Sequence, residues 1–201
     1  MEKLNVVQLD ALKEVGNIGT GHAATALSQL LGHRKVEVKI PEVTTATLDQ
    51  LNWDPTGDSV MLFLLLKIYG EATGTLIITF PREAAFKLAD MLTSRDLGTT
   101  KVLGPLEESA LKELGNILAG CYLNSLSQFS GLLLIPSVPE VALDAPGAIR
   151  HYLGEVHQSH DLTFSIGTEL SIESLNAAGK IYLLPDSFSI GRVLEKLGLG
   201  K

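Results

Sequence analysis

Cysteine is nearly absent from this sequence, since Cys121 is the single one in 201 residues. One thiol cannot form an internal disulfide, which excludes a disulfide-stabilised secreted scaffold and favours a reducing compartment, the cytoplasm. Long hydrophobic runs are also lacking. The longest, residues 60–66, has seven residues and ends at Lys67, whereas about 20 are needed to span a bilayer. Residues 1–30 show no basic-then-apolar export signal, so the sequence predicts neither a membrane protein nor a secreted one.

An excess of basic residues is missing as well. The chain has 16 lysines and arginines against 23 aspartates and glutamates, a net charge of −7. This charge argues against nucleic acid or an anionic membrane surface as the main partner. What is present is an apolar fraction of 45%, which is typical of a globular chain with a sizeable core.

The sequence repeats itself at an offset of 99 residues. Residues 10–32 and 109–131 are identical at 12 of 23 positions, and residues 74–81 match 179–185. Two units of about 100 residues indicate a duplication within one fold rather than a solenoid. We therefore expect one domain, residues 1–201, made of two pseudo-symmetric halves near 1–100 and 101–201.

Hydrophobic periodicity predicts an α+β fold in which each half contains a helix, then strands, then a helix. The predicted helices cover residues 7–31, 82–93, 106–130 and 186–197, and the predicted strands cover 36–40, 60–68, 75–80, 132–135, 162–172 and 180–184. Residues 144–161 have the weakest periodicity, which predicts a loop with a short helix.

Both copies of the long first helix carry a narrow polar stripe opposite their apolar face. The stripe consists of Asp10, Glu14, Asn17 and Gly21 in the first copy and of Ser109, Glu113, Asn116 and Gly120 in the second. Asparagine and glycine both disfavour a helix interior, glycine by about 1 kcal/mol relative to alanine. Their retention in both copies indicates a function, and the glycines predict that another backbone comes close to the helix there.

The alternative is that the stripes only keep the outer helix faces in water. Exposed positions tolerate most polar substitutions at small cost, so nothing structural would hold glutamate and asparagine in register in both copies. A carboxamide can orient a water molecule, and a carboxylate can hold a lysine or arginine of a partner. Such a pair cannot cleave a stable ester alone. It can complete a phosphoryl transfer whose metal and activated phosphate belong to the partner.

Three histidines, His151, His157 and His160, lie within ten residues and are the other candidate site. A zinc site needs a third or fourth protein ligand held beside the first two, and only His157 and His160 would share a face if this stretch were helical. Histidines in a loop are mostly solvated, so we predict no metal site.

The stripe resembles the motif of the CheC/CheX/FliY phosphatases, which remove phosphate from the chemotaxis regulator CheY. The pattern is aspartate or serine, three residues, glutamate, two residues, asparagine, and then a proline. In the second copy 22 residues separate Asn116 from Pro139, and in the first copy 23 residues separate Asn17 from Pro41. Two intact motifs are most similar to the CheC branch. The resemblance implies two similar halves that build one antiparallel sheet, with both motif helices exposed on its flank.

The resemblance also implies roles for the residues of the stripe. Asn17 and Asn116 would orient water for in-line attack on the aspartyl phosphate of a CheY-like regulator, and Glu14 and Glu113 would pair with the regulator's lysine. The remaining positions would be accessory members of the motif: Asp10, Ser109, Gly21, Gly120, Pro41 and Pro139. Mg²⁺ would be supplied by the regulator, so this chain would need no cofactor of its own.

CheC proteins also bind the receptor deamidase CheD, so the resemblance implies a second partner. Residues 141–144 are similar to the segment that CheC offers to CheD, with Asp144 as the expected contact; the alternative is an ordinary turn aspartate before Pro146. By analogy the chain would be monomeric, since the duplication already supplies both halves. A non-catalytic adaptor that binds phosphorylated CheY or CheD remains the rival function.

Overall fold

The computed structural model describes residues 5–39, 42–46, 48–51, 53, 59–157, 163–172 and 177–199. These residues contain five α-helices and one eight-stranded sheet. The helices are α1 (Val6–Leu30), α2 (Arg82–Leu92), α3 (Pro105–Ser130), α4 (Pro146–His157) and α5 (Ser187–Lys196). The strands are β1 (Val36–Val38), β2 (Glu42–Ala46), β3 (Met61–Gly70), β4 (Gly74–Pro81), β5 (Leu134–Pro136), β6 (Glu140–Asp144), β7 (Thr163–Ile172) and β8 (Ala177–Pro185).

The sheet is antiparallel and joins the two copies of the duplication. Its order is β1-β7-β8-β4-β3-β5, with β2 also pairing with β7 and β6 with β3. The short strands β1 and β2 therefore pair with a strand of the second half, and β5 and β6 pair with a strand of the first. At the centre the matching strands β4 and β8 pair with each other, Ile77 opposite Tyr182. This confirms the predicted antiparallel α+β fold with an internal duplication.

Alternation along the strands divides the buried side chains between two cores. On one face Leu62, Leu64 and Leu66 of β3 pack with the apolar stripes of α1, α2, α3 and α5. On the other face Phe63 and Leu65 pack with α4, with a 3₁₀ helix at Leu48–Gln50 and with other buried side chains. Because consecutive residues of β3 enter opposite cores, its unbroken apolar sequence is explained by burial on both faces.

The main departure from the sequence prediction is α4. Residues 144–161 were expected to form a loop with a short helix, but Pro146–His157 is a helix of 12 residues. Ile149 and Leu153, one turn apart, lie in the second core, and this tertiary packing offsets the weak local pattern. Strands β2 and β6 were not predicted. The remaining predicted helices and strands agree with the structure to within a few residues, apart from predicted ends such as residues 40 and 162, which lie outside the described residues.

Among the described residues no helix combines the length and the apolar character needed to cross a membrane.

Candidate functional site

The N-termini of the two motif helices are each fixed by the residue at the third helical position. In α1, Gln8 accepts a hydrogen bond from the Asn5 N–H at 2.9 Å, while Asn5 accepts one from the Gln8 N–H, which forms a capping box. Gln8 also donates to the Leu199 carbonyl at 2.9 Å. In α3 the matching residue, Glu107, accepts from the Gly104 N–H at 3.0 Å and from the Arg95 guanidinium. These hydrogen bonds fix the first turn of each motif helix.

The motif of α3 rests on a close contact with the sheet layer. A Cβ atom at Gly115 would lie 3.2 Å from Leu64 Cδ1 and 3.3 Å from Pro139 Cγ. Gly115 and Pro139 are both buried, so the glycine lets the helix approach this proline directly. Gly115 immediately precedes Asn116 and is turned about 100° from it around the helix, toward the buried side. Pro139 therefore supports the helix from behind and does not belong to its exposed stripe.

The two motif helices also pack against each other. A Cβ atom at Gly19 would lie 3.1 Å from the Tyr122 ring and 3.3 Å from the Tyr122 carbonyl oxygen, so a side chain here would crowd the contact between the two helices. Nearby, His22 Nδ1 lies 2.8 Å from Ser125 Oγ. Because Ser125 Oγ already donates its hydrogen to the Cys121 carbonyl at 2.9 Å, His22 is the donor in this contact.

The glutamate and asparagine of both stripes are exposed. Glu14 and Asn17 lie on the outer face of α1, and Glu113 and Asn116 lie on the outer face of α3. None of the four side chains makes a hydrogen bond or an ion pair with any residue that the structure describes. At this spacing on a helix, the Cβ atoms of such a pair are about 5–6 Å apart. Each helix thus presents one carboxylate and one amide, side by side, to whatever docks there.

The accessory positions differ between the copies. Asp10 is exposed, whereas the hydroxyl of Ser109, also exposed, donates to the Pro105 carbonyl of its own helix at 2.8 Å. The expected close approach of another backbone at Gly21 and Gly120 is not made by any residue that the structure describes, because a Cβ atom at either position would meet no described atom within 4 Å. The space over both glycines is open. Pro41 lies outside the described residues.

The other sequence candidates are not drawn into these stripes. Asp144 is exposed at the end of β6, and its Oδ1 accepts from the Ala145 N–H at 2.7 Å. His151 lies on α4, 3.5 Å from the Glu155 carboxylate, and His160 lies outside the described residues. Across the part of the chain that the structure describes, no three histidine, cysteine, aspartate or glutamate side chains are grouped to hold a metal ion.

The arrangement favours positioning chemistry over nucleophilic chemistry. The thiol of Cys121 packs half-buried against the core, and this burial raises its pKa above the usual range, which disfavours the reactive thiolate. What each stripe exposes is an amide that can orient water and a carboxylate that can bind a cation. An amide is not a strong base. The stripes therefore suit a reaction in which a partner carries the activated group.

Comparison with known proteins finds relatives that match nearly the whole chain. A model of the CheC-like family matches residues 7–44 and 106–143, which include both motifs. The CheY-P phosphatase CheC of Bacillus subtilis is 36% identical over 197 residues, covering 95% of this chain and 94% of its own length.

Two solved structures show the same fold. Thermotoga maritima FliY superposes with a TM-score of 0.77 at 22% identity and covers 100% of both chains. A chain from the CheX–CheY–BeF₃–Mg²⁺ complex of Borrelia burgdorferi matches with a TM-score of 0.58 at 16% identity, covering 85% of this chain and 97% of that one. By the extent of its identity to the Bacillus protein and the two family-model matches, this chain belongs to the CheC-like family.

Proposed function

We propose that this chain is a protein phosphatase that hydrolyses the aspartyl phosphate of a CheY-like response regulator in chemotaxis. The observation that carries the proposal is that both glutamate–asparagine pairs are exposed and make no contact that would occupy them within the described chain. The 36% identity to a CheY-P phosphatase over nearly the whole length supports the choice of substrate. The matched Borrelia structure is a complex of CheX with CheY, and this supports a CheY-like partner for the present chain.

In the proposed reaction the asparagine amide acts on water and the glutamate acts on the regulator. Asn17 or Asn116 orients a water molecule in line with the phosphorus–oxygen bond of the aspartyl phosphate. The water oxygen bonds to phosphorus as that bond breaks, leaving inorganic phosphate and the free aspartate of the regulator. Glu14 or Glu113 pairs with a regulator lysine and fixes the docked geometry. Because the amide is neutral and a weak base, the rate gain comes from position rather than proton abstraction.

We assign the metal ion of this reaction to the regulator. Magnesium is commonly held by one or two carboxylates together with the phosphate it activates, and the phosphate of this reaction is carried by the regulator. This chain then contributes orientation, and the regulator contributes Mg²⁺, lysine and the labile phosphate.

The decisive experiment replaces both asparagines by alanine in the full chain. We expect Asn17→Ala with Asn116→Ala to lower the acceleration of regulator dephosphorylation by on the order of 100-fold, while either change alone leaves roughly half, because each helix carries its own pair. Phosphate release from the phosphorylated regulator with Mg²⁺ is the measurement. Asn124→Ala, an exposed asparagine two turns further along α3, is the matched control.

The same experiment separates the enzyme from its rival, an adaptor without turnover. An adaptor would bind the phosphorylated regulator through the same stripes but leave the rate of phosphate loss unchanged. If the wild-type chain bound the regulator without acceleration, or if the double variant were as fast as wild type, the catalytic role of the two amides would be wrong.

For the second partner, we propose that Asp144 contacts the deamidase CheD. Its exposure at the end of β6 supports this role, since Oδ1 accepts a neighbouring backbone N–H while the side chain stays open to solvent. Asp144→Ala should weaken CheD binding in a titration and leave phosphate release in the absence of CheD unchanged. Unaltered CheD affinity would leave Asp144 with only its role at the end of β6.

A further inference from the structure

Each motif contains a lysine that the proposed reaction does not use. The two helix copies share the sequence Lys-Glu-X-Gly-Asn, with Lys13 in α1 and Lys112 in α3. Lys13 is exposed and Lys112 is half-buried, on the same side of the helices as the stripes. Lysine stands at this position in both copies, as glutamate and asparagine do at theirs, and at an exposed position such as Lys13 the fold does not require one residue type.

Neither lysine is neutralised within the described chain. Acidic residues lie within one turn of each, Asp10 before Lys13 and Glu108 before Lys112. Nonetheless, neither ammonium forms an ion pair with a described residue. By contrast, the structure does form such pairs elsewhere on the surface, as between Lys39 and Glu169 at 2.7 Å. Two cations with free ammonium groups therefore stand on the motif helices.

Each lysine is also placed beside the reacting amide. Lys13 precedes Asn17 by four residues, and Lys112 precedes Asn116 by four. Residues four apart are neighbours on a helix surface, with Cβ atoms about 5–6 Å apart. Side chains on a helix lean toward its N-terminus, so the amide of each asparagine leans over the turn that carries its lysine and glutamate.

Because the substrate is anionic, lysines beside the asparagine affect how it docks. A phosphoryl group carries about −1.5 to −2 charges near neutral pH, while this chain has a net charge of −7. The overall charges therefore repel. Screening limits exposed charges to a range of about 8 Å at physiological salt, so the groups within one turn of the asparagine outweigh the distant acids during docking. Of these near groups, the glutamate pairs with the regulator's lysine in the proposed reaction, which leaves the lysine to act on the phosphate.

We propose that Lys13 and Lys112 are docking cations that draw the anionic phosphorylation site of the regulator onto the asparagine beside them. This proposal rests on the proposed phosphatase function. Charges at the rim of an interface mainly change the rate of encounter and its salt dependence. The lysines should therefore act on KM and on the salt dependence of kcat/KM and leave the chemical step, and with it kcat, nearly unchanged.

The test compares two double variants that remove the same total charge. One is Lys13→Gln with Lys112→Gln. The control is Lys67→Gln with Lys196→Gln, two exposed lysines outside the motif helices, on β3 and α5. Phosphate release from the phosphorylated regulator is measured with the full chain at low salt and near 1 M salt, where the screening length falls to about 3 Å.

We expect the motif variant to lose about three- to tenfold in kcat/KM at low salt, through a higher KM, and to approach wild type at high salt. The control should stay within about twofold of wild type, and arginine at both motif positions should restore the rate. Equal loss in both variants would mean that only net charge matters, and no loss in the motif variant would mean that the lysines merely keep the helices in water. Either result would overturn this proposal alone. A wild-type chain without acceleration would instead overturn the phosphatase function.

Discussion

At the scale of single residues, the side chains that hold the motif helices in place differ from those that we assign to the reaction. The residues that fix α3, such as Gly115 and Glu107, are buried. The residues that we assign to the reaction, such as Glu113 and Asn116, are exposed, and their side chains make no hydrogen bond or ion pair with a described residue. Exposed substitutions of this kind change stability by within about 0.5 kcal/mol. Loss of activity in a motif variant can therefore be read as loss of function rather than loss of structure.

Charge reversal at the glutamates tests the proposed contact with the regulator's lysine. Glu14→Lys with Glu113→Lys places like charges together, so we expect affinity for the phosphorylated regulator to fall by about tenfold or more. A fluorescence titration at fixed salt measures it. Glu195→Lys, an exposed change on α5, alters the net charge at a distant place and should leave affinity near wild type. Equal affinities for the motif variant and wild type would contradict the contact.

Because the stripe glycines face open space, their replacement by alanine can raise stability while it lowers activity. Gly21→Ala with Gly120→Ala should raise the free energy of unfolding by about 1 kcal/mol per site, because alanine favours a helix interior and its methyl group would meet no described atom within 4 Å. If a regulator backbone approaches these positions, the same methyl groups should lower the phosphatase rate by roughly tenfold or more through misplacement of the amide.

A third glycine provides the control for that experiment. Gly191 lies within α5 and is exposed, and a Cβ atom there would also have no atom of the described part of the chain within 4 Å. Gly191→Ala should stabilise the protein in a urea titration to a similar extent per site without slowing dephosphorylation. A rate unchanged in the stripe variant would show that no part of the regulator packs closely on Gly21 or Gly120.

At the scale of elements, the junction between α2 and α3 sets where the second motif stands. Asp90, at the end of α2, is fully buried and accepts hydrogen bonds from the N–H groups of Gly98, Thr99 and Thr100 at 2.7–3.1 Å. Burial opposes ionisation of this carboxyl, but the hydrogen bonds led by Thr100 outweigh it and lower its pKa. The connection that follows α2 is therefore fixed by one carboxylate.

Replacing this carboxylate should destabilise the fold and change its response to acid. Asp90→Asn keeps one acceptor oxygen but turns an amide N–H₂ toward backbone donors, so we expect a loss of roughly 1–3 kcal/mol near neutral pH. Because the folded pKa is lowered, the stabilisation by Asp90 is present above the unfolded value of about 3.9 and is lost as pH falls through the folded pKa.

Urea midpoints at several pH values check this prediction. The stability of the wild-type chain should decline below about pH 4, and the variant should show a smaller decline over the same interval. Asp96→Asn, an exposed change in the same connection, should leave both the midpoint at neutral pH and the acid slope near wild type. A variant with the wild-type acid slope would show that Asp90 does not contribute.

Some of the elements can be predicted from local sequence patterns and others cannot. The long helices and the exposure of their stripes follow from 3.6-residue periodicity, and β3 and β4 follow from their apolar runs. The pattern of α4 is concealed by Gly147, Gly154 and its histidines, and the helix is stabilised by Ile149 and Leu153 packing on the sheet. The support that Pro139 gives to Gly115 joins residues far apart in sequence, which no local pattern contains.

At the scale of the whole molecule, the duplication is interlocked rather than tandem. Among the described strands, β1 and β2 pair with β7 alone, and β5 and β6 pair with β3. The central pairing of β4 with β8 joins the halves a third time. The sequence shows two copies but not this exchange, since strand pairing depends on contacts about 100 residues apart, which local periodicity does not encode.

The exchange predicts that residues 1–100 do not fold as an isolated monomer. Without the second half, β1 and β2 lack β7, and one edge of β4 lacks β8, leaving unpaired backbone and apolar side chains such as Ile77 and Ile78, which are fully buried in the whole chain. Exposed strand edges of this kind favour association. We expect the fragment to be unfolded at low concentration, or to form a dimer in which two identical halves replace the two copies. Circular dichroism with sedimentation at several concentrations distinguishes these states. A monomeric fragment with cooperative unfolding would contradict the interlocked pairing, because such a half would have to satisfy its strand edges by itself.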